Sequence, residues 1–378
     1  MEIMTGSAVA PSIPATPLAT ALSSTRPTTL AEYRGAMTPL ELDSPARETE
    51  AFTRGAAVHD MGWMRRIAVH GEDRFRWLSG MVTNTVKDLG PHTGTWNLVL
   101  NAQGRIQGDL TVWRENEDLQ LEIAANQYDR LLAHLEHFII MDDVELHPMG
   151  AEPGAAETAI GITGPEAEAV LARIGLPVLS EPMTSTRLEW NGLDLKVLRD
   201  FGAAALHFTL WTPAAGLTRL WRTLSTGGAV PVGSRTLEAF RIAEGIPLYG
   251  VDIVERDLPQ ETAQMRALHF SKGCYLGQEI VERIRSRGNV HRHLRSLELH
   301  GPLPEHGAEL TLQGAAVGHI TSAASLALPS GTRTFALAML RAEAETDHPP
   351  LQYKVGNETG RAVLCAAPPQ WKLAATKN

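Results

Sequence analysis

Apolar positions along this chain recur at two periods, and the period changes from segment to segment. Arg65-Arg-Ile-Ala-Val-His70 alternates as a strand with one buried face. Gly71 to Ser79 then switches to helical spacing, with Phe75 and Leu78 on one side. Trp96 to Leu100, Ile106 to Trp113 and Leu119 to Ala124 read as strands, and Asn101-Ala-Gln-Gly104 as a hairpin turn. Gln127 to Ile139 predicts a helix and Val144 to Leu146 a closing strand. The same order then recurs approximately. Thr158 to Ile162 is a strand, and Pro165 to Ile174 a helix with proline at its start, where a missing N–H does least harm. Leu188 to Trp190, Leu193 to Leu198 and Ala205 to Trp211 are strands, and Gly216 to Leu224 is a helix. Ser234 to Ala243 is a further helix, ending at Gly245-Ile-Pro247. From Leu294 short alternating strands lie between Gly- and Pro-containing turns, the texture of a small barrel.

The pattern predicts an α+β protein in parts. Residues 1–28, rich in Ala, Pro, Ser and Thr, read as a disordered arm. Residues 29–152 and 153–232 read as two similar α+β units. Residues 233–293 read as a helix and a cysteine-bearing segment returning to the first unit. Residues 294–366 read as the barrel and 367–378 as a loose tail. A hydrophobic content of 43% and a charged content of 20% are those of a soluble globular chain. No apolar run reaches the length of a membrane span. The net charge of −9 offers no general field for nucleic acid. Two cysteines, Cys274 and Cys365, make no disulfide framework and no all-cysteine metal site, so no metal is expected. They fit a reducing compartment, and a cytoplasmic location is expected.

Four places carry candidate chemistry. Cys274 sits in a loop punctuated by Gly273 and Gly277, just before an amphipathic helical run. Lys272 lies two residues upstream. A helix N-terminus and an ammonium both favour thiolate, the reactive form; a small buried cysteine beside a turn is the bland alternative. Asp109 follows Gly108 in Asn101-Ala-Gln-Gly-Arg-Ile-Gln-Gly-Asp109. The glycine would let a flat ligand reach the backbone, and the carboxylate would accept from a heteroaromatic N–H edge or act as a base. From spacing alone, a solvated residue on the strand's outer face is the favoured reading of Asp109. Arg241 and Glu244 share a helix face, to bind a ligand or to pair with each other, and Tyr249 and Asp252 follow in a glycine-bearing loop. Last, Arg283, Arg285, Arg287, His291, Arg292, His293 and Arg295 form a basic run able to hold a folate's glutamate tail, a phosphate or an acidic partner.

Lys272-Gly-Cys-Tyr-Leu-Gly-Gln-Glu279 resembles the signature octapeptide of the YgfZ family, folate-binding relatives of the glycine-cleavage T-protein. Asn101 to Asp109, with Arg105 inside it, is similar to that family's Asn-x-x-Gly-Arg segment and following Asp. Arg241 to Asp252 resembles its Arg-x-x-x-Gly-x-Pro-x-x-Gly-x-Asp segment, Pro259-Gln-Glu261 its Pro-Gln-Glu, and Gly318 to Ser322 its barrel turn. The resemblance implies a three-domain clover-leaf around an opening that takes tetrahydrofolate or a derivative. It implies Asp109, Arg105, Arg241, Tyr249, Gly273, Gln278 and Glu279 as cofactor contacts. It makes Cys274 a reactive group at the rim, with Lys272 lowering its pKa. It also implies a role supporting iron–sulfur enzymes as clients, and tRNA modification through them, with no direct nucleic-acid contact. T-proteins carry a Gly-Tyr-Thr-Gly-Glu segment where this chain reads Arg199 to Leu206 without glutamate, and an Asp-Asp pair where it reads Gly108-Asp109. These departures weigh against the alternative, a folate-dependent aminomethyltransferase of the T-protein type, and leave enzyme status open.

Overall fold

The structure is a computed structural model that describes residues 13–366, apart from 117, 153, 203–204, 289 and 346–349. The arm predicted over 1–28 is folded from residue 13 on. Thr16 caps the helix Pro17–Ser23 by accepting from Ala19 N at 3.0 Å, and Leu18 is buried. A Thr-Pro start is a strong cap-and-N1 pair, masked here by the low-complexity composition around it. Residues 1–12 and the tail from 367 lie outside the described residues.

Alternating apolar strands assemble into one eleven-stranded sheet, not two separate ones. The halves are joined where Thr184 pairs with Thr93. The strand Ala57–Asp60, early in the chain, crosses into the later half, between Glu157–Thr163 and Val230–Val232. Helices cover the apolar faces. In Leu217–Thr226, Leu217, Leu220, Trp221 and Leu224 recur at i, i+3, i+4 and i+7 and pack on Ile160, Ile162, Leu195 and Phe208. Leu131 and Leu135 of Ala125–His137 do the same against Val112 and Leu121. Each such leucine, fully buried, contributes roughly 1.5–3 kcal/mol.

Three polar contacts reveal the sheet's shape. Trp211 donates to Glu122 at 2.5 Å, Lys196 to Gln120 at 2.7 Å, and Arg66 Nε to Glu157 at 2.7 Å. Each joins strands far apart in the sheet order, so the sheet folds back and encloses the polar face of its own strands.

The C-terminal strands close a six-stranded barrel, in the order Arg292–His300, Gly331–Arg341, Ala315–Leu328, Glu309–Leu312, Leu351–Val355 and Glu358–Leu364. The last pairs back to the first, so no edge is left open. The helix Ser234–Glu244 lies between barrel and sheet, with Phe240 stacked on Phe52 at 4.4 Å.

Candidate functional site

The enclosed polar face, the hairpin Leu30–Tyr33/Ala36–Pro39 and the helix Ser234–Glu244 bound a cavity of about 220 Å³. Asp109 lines it, on the strand Ile106–Glu115. Its carboxylate is held at both oxygens. Trp96 Nε1 donates to Oδ2 and Gln127 Nε2 to Oδ1, each at 2.9 Å. Gln127 Oε1 accepts from Asp109's own N–H at 3.0 Å. Gly108 does not open the backbone to a ligand. A Cβ there would meet Gln127 Oε1 at 2.7 Å and Leu131 at 2.8 Å, so the glycine serves the helix that clamps Asp109.

Tyr249 also lines the cavity, its hydroxyl donating to Ile106 O at 3.3 Å and Arg130 over its ring. Arg241 reaches the same wall, but its donors are taken. Nη1 goes to Asp252 at 2.7 Å and to Ile246 O, Nε to Glu238 at 2.8 Å, and Nη2 to Glu238 and Ser322. Arg241 thus clamps helix, loop and barrel together. Glu244, expected beside it on the helix face, instead accepts from Ala205 N at 3.2 Å.

The octapeptide lies elsewhere. Cys274, Gly273 and Glu279 are exposed, and neither these nor Lys272, Gln278 or Arg105 line the cavity. Lys272 does not pair with Cys274. Its ammonium donates to Ser79 O at 2.5 Å and Val82 O at 2.6 Å, because these carbonyls at the end of the helix Arg74–Met81 lack helical partners. Burial, with Lys87 nearby, pushes Lys272 down to about 7. Gln278 accepts from Tyr275 N at 3.2 Å and so shapes the loop. Arg105 donates to Arg256 O. Two motifs do meet. A Cβ on Gly277 would lie 2.6 Å from Asn101 O, and one on Gly104 2.8 Å from Ile280, so the cysteine loop packs on the hairpin turn ahead of Asp109.

Most of the basic run is neutralised within the protein. Arg292 pairs with Asp257 and Glu261, His293 and Arg295 with Glu345, and Arg285 with Glu282. The side chain of Arg287 lies outside the described residues.

Several cavity groups had no sequence signal. Arg266 lies over Trp96 at 4.4 Å and Phe201 at 4.1 Å; burial pushes it down to about 10, with Asp109 and Glu244 opposing. Glu122 accepts from Trp113 at 2.7 Å as well as from Trp211, and burial, with Asp200 adding, pushes it up to about 7. Asp200, from the stretch where T-proteins place a glutamate, accepts from Thr209 at 2.7 Å; burial raises it to about 6. Thr163 bridges His59 at 3.0 Å and His207 at 2.5 Å. Burial lowers both imidazoles, His207 to about 4. The cavity therefore gathers imidazoles biased toward the neutral form, two carboxyls biased toward keeping a proton, and the side chain of Asp109 fixed by two donors.

An eleven-stranded α/β sheet folded back over a cavity and a closed C-terminal barrel define a class. Residues 27–272 match the family model described as the GCVT N-terminal domain, and the chain belongs to that family. An aminomethyltransferase of Nostoc sp. is 25% identical over 359 residues, 90% of this chain and 91% of that protein. One of Rubrobacter xylanophilus is 27% identical over 320 residues, 84% of each. A chloroplastic putative transferase of Arabidopsis thaliana is 24% identical over 287 residues, 74% of this chain but only 64% of that protein. The crystal structure of glycine cleavage system aminomethyltransferase T from Bartonella henselae superposes with a TM-score of 0.84 at 20% identity, covering 94% of this chain and 98% of that one. The T-protein-like fold expected from the sequence is thus the fold observed. Among the described residues, no helix is long and apolar enough to cross a membrane.

Proposed function

We propose that this chain binds a tetrahydrofolate in the cavity, with the N–H edge of the pterin on Asp109. One observation carries the proposal: the Asp109 carboxylate is fixed by one donor on each oxygen at the cavity wall. A carboxylate has about four lone-pair sites, so two remain for a ligand's N–H groups. Such preorganisation makes binding cheaper than capture by a free side chain. Tyr249 and Trp96 also line the cavity, each with an arginine over its ring. Bound tetrahydrofolate would supply one-carbon chemistry; the residues here would bind and orient it.

Within that reading we infer a YgfZ-type protein that supports iron–sulfur enzymes, favoured by the octapeptide Lys272 to Glu279 and its exposed thiol. A thiol outside the cavity faces partner proteins rather than the folate. The second reading is aminomethyl transfer, favoured by the names of the relatives and their full-length coverage. Three measurements separate the outcomes. Tetrahydrofolate titration into wild type and Asp109→Asn tests the common step, and equal affinities would end it. Turnover to methylene-tetrahydrofolate by purified protein would establish the second reading. Loss of iron–sulfur enzyme activity in cells carrying only Cys274→Ala would establish the first.

A further inference from the structure

Arg34 occupies a position its backbone does not favour. It and Gly35 form the two-residue turn of the hairpin Leu30–Tyr33/Ala36–Pro39, with φ of 52° and 87°. A turn with positive φ at both central residues selects Asn, Asp or Gly at the first. The turn is locked in place: Asn126 N donates to Arg34 O at 3.0 Å, and a Cβ on Gly35 would lie 2.4 Å from Asn126 N. An arginine kept at such a turn stores strain of the kind found at functional sites.

Its side chain runs into the cavity. The guanidinium lies 4.5 Å from the Trp63 ring centroid and 5.3 Å from that of Tyr33. Stacking uses its faces, part of its edge meets the Tyr33 hydroxyl, and the Nε–H side is left for a ligand. Among the described residues no carboxylate pairs with Arg34, and its buried Nε has no hydrogen-bond partner. On the same wall His59, 1% exposed, has an unpartnered Nδ1. Arg241 by contrast is paired with Asp252 and Lys196 with Glu115, while Arg266 is sandwiched between the Trp96 and Phe201 rings. The immediate partners of Arg34 (Tyr33, Trp63) and of Asp109 (Trp96, Gln127) share no residue. The two groups therefore face the cavity from separate supports.

We propose that Arg34 forms a second subsite in this cavity that binds the carboxylate of a small monocarboxylic acid, separate from the ligand on Asp109. A planar carboxylate matches the guanidinium fork. One guanidinium edge offers one fork, which sets the class at one carboxylate. The inference needs the cavity to be a ligand site, but not that the other ligand be a folate.

Tryptophan fluorescence tests it, since Trp63 underlies the guanidinium. Acetate, propionate and glycine are titrated at constant ionic strength, with acetamide as the neutral control. Arg34→Asn is the informative variant because asparagine suits the turn, so melting should hold or rise. The expected result is a saturable response to carboxylates and none to acetamide, with Arg34→Asn weakening carboxylate binding at least tenfold. No saturable response in wild type, or equal affinity in Arg34→Asn, overturns the proposal. Wild type that binds acetate but not tetrahydrofolate keeps this inference and ends the folate reading. The reverse pattern ends this inference alone.

Discussion

Arg241 Nη1 donates to Asp252 Oδ2 at 2.7 Å, and both side chains are buried. Asp252 also accepts from Thr321 at 2.6 Å and Ser322 at 2.5 Å, two residues of the barrel strand Ala315–Leu328. The pair is therefore the polar joint between the barrel and the helix Ser234–Glu244. Removing one partner leaves an uncompensated buried charge, which costs about 3–5 kcal/mol. Arg241→Ala should lower stability by that amount in urea denaturation. A variant as stable as wild type would mean the joint is dispensable.

The indole of Trp96 both clamps Asp109 and lies under Arg266. Trp96→Phe keeps a ring for the guanidinium and removes one N–H donor. A hydrogen bond to a charged group contributes about 1.5–3 kcal/mol, so a ligand relying on the fixed carboxylate should bind roughly tenfold to a hundredfold more weakly. Tetrahydrofolate titration reads this directly. Unchanged affinity would show that Asp109 needs no orientation.

Asp200 is raised to about 6 by burial, above the usual carboxylate range. Between about pH 4 and 6 the folded state keeps a proton that the unfolded state has lost. The stabilisation is fully present below pH 4 and is lost as pH rises through 6. Asp200→Asn cannot titrate, and it retains an acceptor for Thr209. Its stability relative to wild type should therefore climb from pH 4 to pH 6 and level off above. Melting temperatures across that range check it, and a constant offset would show that Asp200 stays ionised in the fold. Asp200 also helps to raise Glu122, so the comparison is made in a Glu122→Gln background, where only the Asp200 titration remains.

What the sequence could show follows from what was local. The helix Leu217–Thr226 and the barrel strands carry their periodicity within a few residues. Asp109 was visible because it sits in a short motif. Glu122 was not. Leu119, Leu121 and Ile123 mark one buried face, and Gln120 and Glu122 then read as the solvated side. Only the folding back of the sheet, through contacts such as Trp211 to Glu122, turns that polar side inward. Arg241 misled in another way: its helix-face partner is Glu238, three residues before it, rather than Glu244, and Asp252 and Ser322 lie 11 and 81 residues away. Lys272 was assigned to Cys274 by proximity in sequence, yet its acceptors, Ser79 and Val82, lie 193 and 190 residues upstream.

That last contact separates two residues of one motif by role. Lys272 staples the loop to the end of the helix Arg74–Met81, while Cys274 is exposed and bears no packing load. Cys274→Ala should change stability by no more than about 0.5 kcal/mol, the usual range for a surface substitution. Lys272→Met should free the loop, seen as faster amide hydrogen exchange over residues 271–277, at a cost of about 1–3 kcal/mol for the lost charged donor. If the thiol serves client enzymes, Cys274→Ala abolishes rescue of iron–sulfur enzyme activity in cells lacking the protein, and Lys272→Met reduces it in proportion to loop exchange. Full rescue by Cys274→Ala would remove the thiol from the function and leave the cavity to carry it.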